Sequence, residues 1–359
     1  MTQGDVRGDP RDIDAEWMTE ALEAAGVAQG ASVTTVEFAG FIGTGQTGRN
    51  ARLALTWDEP AGRPASVVGK FPSDDPTART AAFANGTYLR EFSFYEDVAD
   101  TVLIAVPACW VRRFDHTTPD FVLIMEDLCD SVQGDHFAGC TDDEAALAVE
   151  QAVRLHAPRW GDRTLLDLAA FEGSSDAGAR LAMFYGATID MFVERLAARL
   201  DDDVIRLARE FGAVIHSWPA ASTSPRTVVH GDFRPDNFLF GRTPSAPPLV
   251  VVDWQTVGLG AGPSDIAYLL GGSFAPDRRV AVERDMVEDY RERLVAEGID
   301  YDADDCWRDY RLGTLHGVLI AVVATVVAEK TERGDDLFTL MATRHAHHAL
   351  DLDALSVLR

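Results

Sequence analysis

Lysine is the scarcest charged residue in this chain of 359 residues. It occurs twice, at Lys70 and Lys330, although lysine and arginine together number 32. A chain that nearly always takes arginine has kept lysine at two places. Cysteine is also sparse. Cys109, Cys129, Cys140 and Cys306 show no C-x-x-C spacing, which excludes a disulfide framework and a zinc site built on thiolates. Positive charge is in deficit, with 58 acids against 32 bases and a net charge of −26. Such a molecule repels nucleic acid and anionic membranes, so neither is expected as a partner. The excess suits a cationic substrate, and equally plain solubility. Long apolar runs are lacking too. The longest uncharged stretch, Leu312 to Ala328, is short for a bilayer and holds Gly313, Thr314, His316 and Gly317, so it reads as a buried helix. The polar, acidic start from Met1 to Asp14 gives no signal-peptide pattern, and a cytoplasmic protein with reduced thiols is expected.

The patterning that is present divides the chain. Asp12 to Gly26 reads as a short capped helix. Period-two alternation predicts strands over 32–39, 51–57 and 65–71, then near 109–114 and 121–125. Helical spacing covers 80–99, with Tyr88, Phe92, Tyr95 and Val98 on one face. After Met125-Glu126-Asp127-Leu128 helices dominate: 142–156, 181–200, 202–218, 264–272, 277–297, 305–329 and 337–355. The expected fold class is α+β. It has an antiparallel sheet lobe over 1–127 and a larger helical lobe over 128–359, with no internal repeat.

Gly43-x-Gly45-x-x-Gly48 fits G-x-G-x-x-G, a weak signal alone because dinucleotide-binding units share it. Those units open a helix after the glycines. Here Ala51 to Trp57 alternates as a strand, and strand–glycine loop–strand is an arrangement that lets backbone N–H groups approach phosphates; a plain hairpin turn is the alternative. Lys70 lies in the third strand, where a lysine can bind α- and β-phosphates with a glutamate partner from the next helix. Glu91 is the expected partner and Glu96 its competitor. Backbone groups of Glu126 and Leu128 could meet an adenine edge.

The most specific stretch is His230-Gly231-Asp232-Phe233-Arg234-Pro235-Asp236-Asn237, with Asp253 sixteen residues further on at the end of an apolar run. One carboxylate, Asp232, can orient a hydroxyl; Asn237 and Asp253 can hold magnesium through oxygen. Arg234 could offset charge on a transferring phosphoryl group, or pair with Asp236. His230 reads as scaffolding, and Asp265 as a helix cap or a brace for the loop. His345, His347 and His348 read as a packed or solvated helix face.

These residues, with Leu155-His156-Ala157-x-x-Trp160, Val252-Asp253-Trp254-Gln255 and Gly262-Pro263-x-Asp265-Ile266-Ala267-Tyr268, resemble the aminoglycoside phosphotransferase and choline kinase superfamily. The likeness is nearest to its ecdysteroid kinase-like bacterial branch. It implies a bilobal protein-kinase-like fold and an ATP- and Mg2+-dependent kinase acting on a small-molecule hydroxyl. By it, Asp232 is catalytic, Asn237 and Asp253 are magnesium ligands, and Lys70 binds phosphate with Glu91. Trp254 stands where protein kinases have Phe-Gly, which argues against a protein acceptor. An aminoglycoside or macrolide phosphotransferase, a nucleotide-binding pseudokinase and a kinase-fold adenylyltransferase are the alternatives.

Overall fold

The computed structural model describes residues 5–43, 47–171, 177–327 and 330–358. The chain forms two compact units. The first takes Met1–Asp100, Ala105–Ser131 and Val250–Thr256; the second takes Thr101–Ile104, Val132–Leu249 and Val257–Arg359.

The first unit is a five-stranded antiparallel sheet with helices. Helix α1 (Ala15–Ala24) begins at Asp14, whose carboxylate accepts the Trp17 N–H at 2.8 Å and so satisfies one of the free amides of the first turn. The strands are β1 (Val33–Ile42), β2 (Gly48–Trp57), β3 (Ser66–Pro72), β4 (Cys109–Phe114) and β5 (Phe121–Glu126), in the order β1-β2-β3-β5-β4. On β2 the alternation is literal: Ala51, Leu53, Leu55 and Trp57 are buried, and α1 covers this face with Trp17, Met18, Ala21 and Leu22. The spacing over 80–99 predicts one helix. Two helices form instead, α2 (Pro76–Ala84) and α3 (Thr87–Ser93), because Gly86 takes φ +70° and turns the chain between them.

The second unit is mainly helical. A short strand, β6 (Ser131–Gln133), leads to α4 (Asp142–His156), which starts with a Thr141/Glu144 capping box. Then follow α5 (Ala177–Leu196), α6 (Asp202–Val214), β7 (Thr227–Val229), β8 (Phe238–Gly241), β9 (Leu249–Val251) and β10 (Gly258–Gly260). The chain ends in α7 (Pro263–Ser273), α8 (Pro276–Ala296), α9 (Ala303–Val327) and α10 (Glu332–Asp351). Strands β7 and β10 pair antiparallel and hold the segment before the His230 loop. Helices α5, α6, α9 and α10 enclose a core that includes Tyr185, Phe192, Phe211, Leu315, Phe338 and Met341. Among the described residues α9 is the one helix long and apolar enough to cross a membrane, but 61% of that stretch is buried by protein. It is the core helix that the run from Leu312 suggests.

Candidate active site

In the first unit, β3 carries Lys70 inward between Asn50 of β2 and Leu123 of β5. The side chain is 5% exposed. Its Nζ donates to Glu91 Oε1 on α3 at 2.7 Å and to Asp253 Oδ1 at 3.0 Å. Glu96 is instead paired with Arg112 at 3.1 Å, so the competition between the two glutamates resolves to Glu91. Burial pulls the Lys70 pKa down, but the charges of Asp253 and Glu91 outweigh it, and the ammonium is held above its ordinary value. Asp253 adopts φ +66°, a region that L residues rarely occupy and that costs about 1–3 kcal/mol. Its neighbour fixes it there: the Trp254 ring lies parallel to Phe94 at 3.6 Å, and the Trp254 N–H donates to Glu91 Oε1 at 3.3 Å.

The glycine segment joins β1 to β2 as a hairpin, with Ile42 opposite Asn50, so a strand follows the glycines and no helix opens there. Gly43 has φ +73°. A Cβ on Gly48 would lie 3.1 Å from the Phe71 carbonyl oxygen and 3.2 Å from Gln255 Nε2. Gly45 lies outside the described residues. The return arm is anchored by the Tyr88 hydroxyl, which donates to the Thr47 carbonyl at 2.6 Å. At the end of β5, Glu126 is exposed and Leu128 half-buried. Between them Asp127 is clamped by Arg52, at 2.7 and 3.0 Å, and by the Ser66 hydroxyl at 2.6 Å. That clamp fixes the backbone whose groups would meet a nucleobase.

The His230 loop belongs to the second unit. Asp265, at the start of α7, accepts the His230 N–H at 2.7 Å and the Gly231 N–H at 3.0 Å. Its Oδ2 also lies 3.2 Å from His156 Nε2, and His156 Nδ1 lies 2.8 Å from the Tyr290 hydroxyl. Asp265 therefore braces the loop. His230 is scaffolding as well, since its Nδ1 accepts the Asp232 N–H at 3.2 Å. Asp265→Ala removes the acceptor of the His230 and Gly231 amides and the partner of one nitrogen of the buried His156 ring. Each orphaned group costs about 1–3 kcal/mol, so a loss of at least about 2 kcal/mol is expected in urea unfolding. Asp265→Asn should lose less.

Three donors converge on Asp232. Tyr268 O–H donates to Oδ1 at 3.0 Å and Asn237 Nδ2 to Oδ2 at 2.8 Å; Arg234 Nε lies 3.0 Å from Oδ1 and 3.1 Å from Oδ2. Burial would push the carboxyl up, but Arg234, His230 and the hydrogen bonds from Asn237 and Tyr268 hold it below the ordinary aspartate value. It is an ionised carboxylate in a half-buried place. Arg234 also pairs with Asp236 at 3.0 Å, so both roles weighed for it draw on one side chain.

Asn237 and Asp253, expected from the sequence to hold magnesium, are each judged by their open donor atoms. Asn237 gives one Nδ2 hydrogen to Asp232 Oδ2 and the other to the Asp232 carbonyl, at 2.8 Å each, which leaves its Oδ1 for a cation. Asp253 engages Lys70 through Oδ1 and keeps Oδ2. Each residue by itself offers oxygen, the donor that magnesium takes. His345 and His348 are fully buried, so this part of α10 is a packed face.

Sequence reasoning passed over three contacts. Tyr268 reaches Asp232, Asp236 accepts the His136 N–H at 2.8 Å, and His316 Nε2 lies 2.7 Å from the Gly231 carbonyl oxygen. Tyr268 had a signal: it follows Asp265 by three residues, one helical turn, and so shares its face.

The architecture is shared with solved structures. A candidate aminoglycoside phosphotransferase from Ralstonia eutropha JMP134 is 17% identical, over 93% of this chain and 98% of that one, with a TM-score of 0.53. The gentamicin complex of APH(2″)-IIa is 14% identical, over 97% and 96%, with a TM-score of 0.50. These likenesses establish the fold, a bilobal kinase-like α+β architecture. No curated protein sequence matches the chain. The model of the APH phosphotransferase enzyme family matches residues 72–312, two thirds of the chain, spanning Glu91, the His230 loop, Asp253 and the Asp265 brace. The chain belongs to the APH phosphotransferase enzyme family.

Proposed function

We propose that this phosphotransferase is an ATP- and Mg2+-dependent kinase that moves the γ-phosphoryl group onto a hydroxyl of a small molecule. The observation that carries the reading is Asp232: a half-buried carboxylate kept ionised and fixed by three donors. A free alcohol is a weak nucleophile near neutral pH. Asp232 orients it and takes its proton as the hydroxyl oxygen bonds to the γ-phosphorus. The β–γ bridging bond breaks, and its electron pair leaves with ADP.

Lys70, kept charged by Glu91 and Asp253, meets the α- and β-phosphates. Gly43, Gly45 and Gly48 give backbone access to the phosphates, and Glu126 and Leu128 offer backbone groups to the base. Asn237 and Asp253 hold Mg2+, which when bound neutralises charge on the phosphates. Arg234 turns from Asp232 and Asp236 to the transferring group, where its cation stabilises the transition state. The acceptor is a metabolite, a lipid-like alcohol or an antibiotic, with no nucleic acid or membrane involved. The four cysteines are free thiols, which accords with a reducing cytoplasm.

Purified protein with magnesium, ATP or GTP, and a panel of sugars, aliphatic and sterol alcohols, aminoglycosides and macrolides tests this. ADP or GDP release should rise with at least one acceptor. Nucleotide at 100 times its Kd should stabilise the fold by about 2.7 kcal/mol. A panel with no release above the acceptor-free rate, together with no nucleotide-dependent rise in melting temperature, would sink the reading.

A further inference from the structure

We infer that Tyr268 is a positioning residue: its hydroxyl, held by a stack of buried rings, sets the orientation of the Asp232 carboxylate. The inference rests on the reading of Asp232 as the group that handles the acceptor's proton. Two of the donors on Asp232 come from its own loop. Tyr268 is the donor from another element, and it is fully buried. Helix α7 presents two anchors one turn apart: Asp265 takes the backbone amides of His230 and Gly231, and Tyr268 takes the Asp232 side chain. The loop is fixed in place by the first and the carboxylate in rotation by the second.

The ring of Tyr268 has little freedom. His345 of α10 lies parallel to it, with centroids 4.9 Å apart and planes 6° apart. His316 of α9 meets it edge-on at 5.3 Å and itself approaches the Gly231 carbonyl. Room for His345 is made by glycines on two helices. A Cβ on Gly317 would fall 2.1 Å from His345 Nδ1, and one on Gly271 2.7 Å from the same atom. His345 is fully buried, with neither ring nitrogen partnered among the described residues. Its use here is as a flat wall behind Tyr268. Burial and the Asp232 charge also push the Tyr268 phenol well up, so it remains a donor.

With Tyr268 on Oδ1 and Asn237 on Oδ2, the ligand that an incoming hydroxyl displaces is Arg234, which has Asp236 as a second partner. Without the Tyr268 hydroxyl, the carboxylate can rotate with the guanidinium and lose its aim.

The test compares Tyr268→Phe with wild type, using ATP and the most active acceptor of the panel above. The expected result is a fall in kcat of roughly 10- to 100-fold, with KM for ATP unchanged and the melting temperature little altered. In an Asp232→Asn background the same substitution should have no further effect, because it acts through Asp232. If Tyr268→Phe does not fold, 3-fluorotyrosine at position 268, the same shape with a more acidic hydroxyl, should change kcat at constant KM. An active wild type whose kcat is untouched by either replacement overturns the positioning role alone. Equal losses from Tyr268→Phe in both backgrounds do so too. A wild type with no transfer to any acceptor overturns the reading of Asp232 itself, and this inference with it.

Discussion

Asp232→Asn should lower kcat by at least about 100-fold while nucleotide still binds, because positioned proton transfer contributes typically 10²–10⁴-fold. The amide is nearly the same shape. Its oxygen can still accept from Tyr268 or Asn237, so the loop should keep its brace on Asp265. What disappears is the negative charge that accepts the proton and that Arg234 meets at 3.0 Å. Nucleotide affinity should persist because Lys70, Glu91 and Asp253 form their ion pairs without Asp232. The substitution thus separates chemistry from binding: steady-state kinetics should show lost turnover, and nucleotide titration followed by melting should show an unchanged shift. Lost binding together with lost turnover would mean that Asp232 shapes the phosphate site, contrary to the role assigned to it.

The second large effect is on stability towards acid. His136, His345 and His348 are fully buried in the second unit. Burial holds all three below the ordinary histidine value of 6.5, His136 down to about 3. Few acids face them. Around His345 are His136, His348, His316 and Arg344, all of which oppose a further positive charge. Arg234 and Arg344 do the same at His136, against Asp232 and Asp135. His348 has Glu283 at 3.1 Å, yet Arg279 sits beside it. The folded chain therefore keeps these rings neutral where the unfolded chain protonates them. Because their folded pKa values are depressed, stability is fully present above the histidine range and is lost as pH falls below about 6.5. A ring that is protonated only in the unfolded chain contributes a slope of at most about 1.4 kcal/mol per pH unit. Asp232 and Asp265 are also held low, and their share is lost only at more acid pH. Urea unfolding at stepped pH should show stability falling from pH 6.5 towards 5, and His345→Gln should make that fall shallower, by at most about 1.4 kcal/mol per pH unit. A flat profile over that interval would rule the account out.

The fold was legible where local chemistry decides it. Alternation on β2, the Asp14 cap of α1 and the uncharged run of α9 all reported what they form, because side-chain period and capping are local properties. The break at Gly86 was hidden because apolar spacing continues on both sides of it, and only the backbone shows the positive φ. The return of Val250–Thr256 to the first unit is a long-range event that no window of sequence contains.

Legibility of the candidate site follows the same division. The His230 loop and Lys70 stand out by spacing and by scarcity. Glu91 was favoured, but its rival Glu96 was set aside only by the Arg112 pair. Tyr268, His316 and Asp236 contribute through tertiary contacts between residues 36 to 100 positions apart. His345 looked like an ordinary helix-face residue, and it is one, but the face packs against Tyr268.

The most direct test of the central claim is the mass of the acceptor after reaction with magnesium and ATP. The account predicts a gain of one phosphoryl group, ADP as co-product and no gain with Asp232→Asn. A product carrying an adenylyl group, with pyrophosphate released, would contradict it.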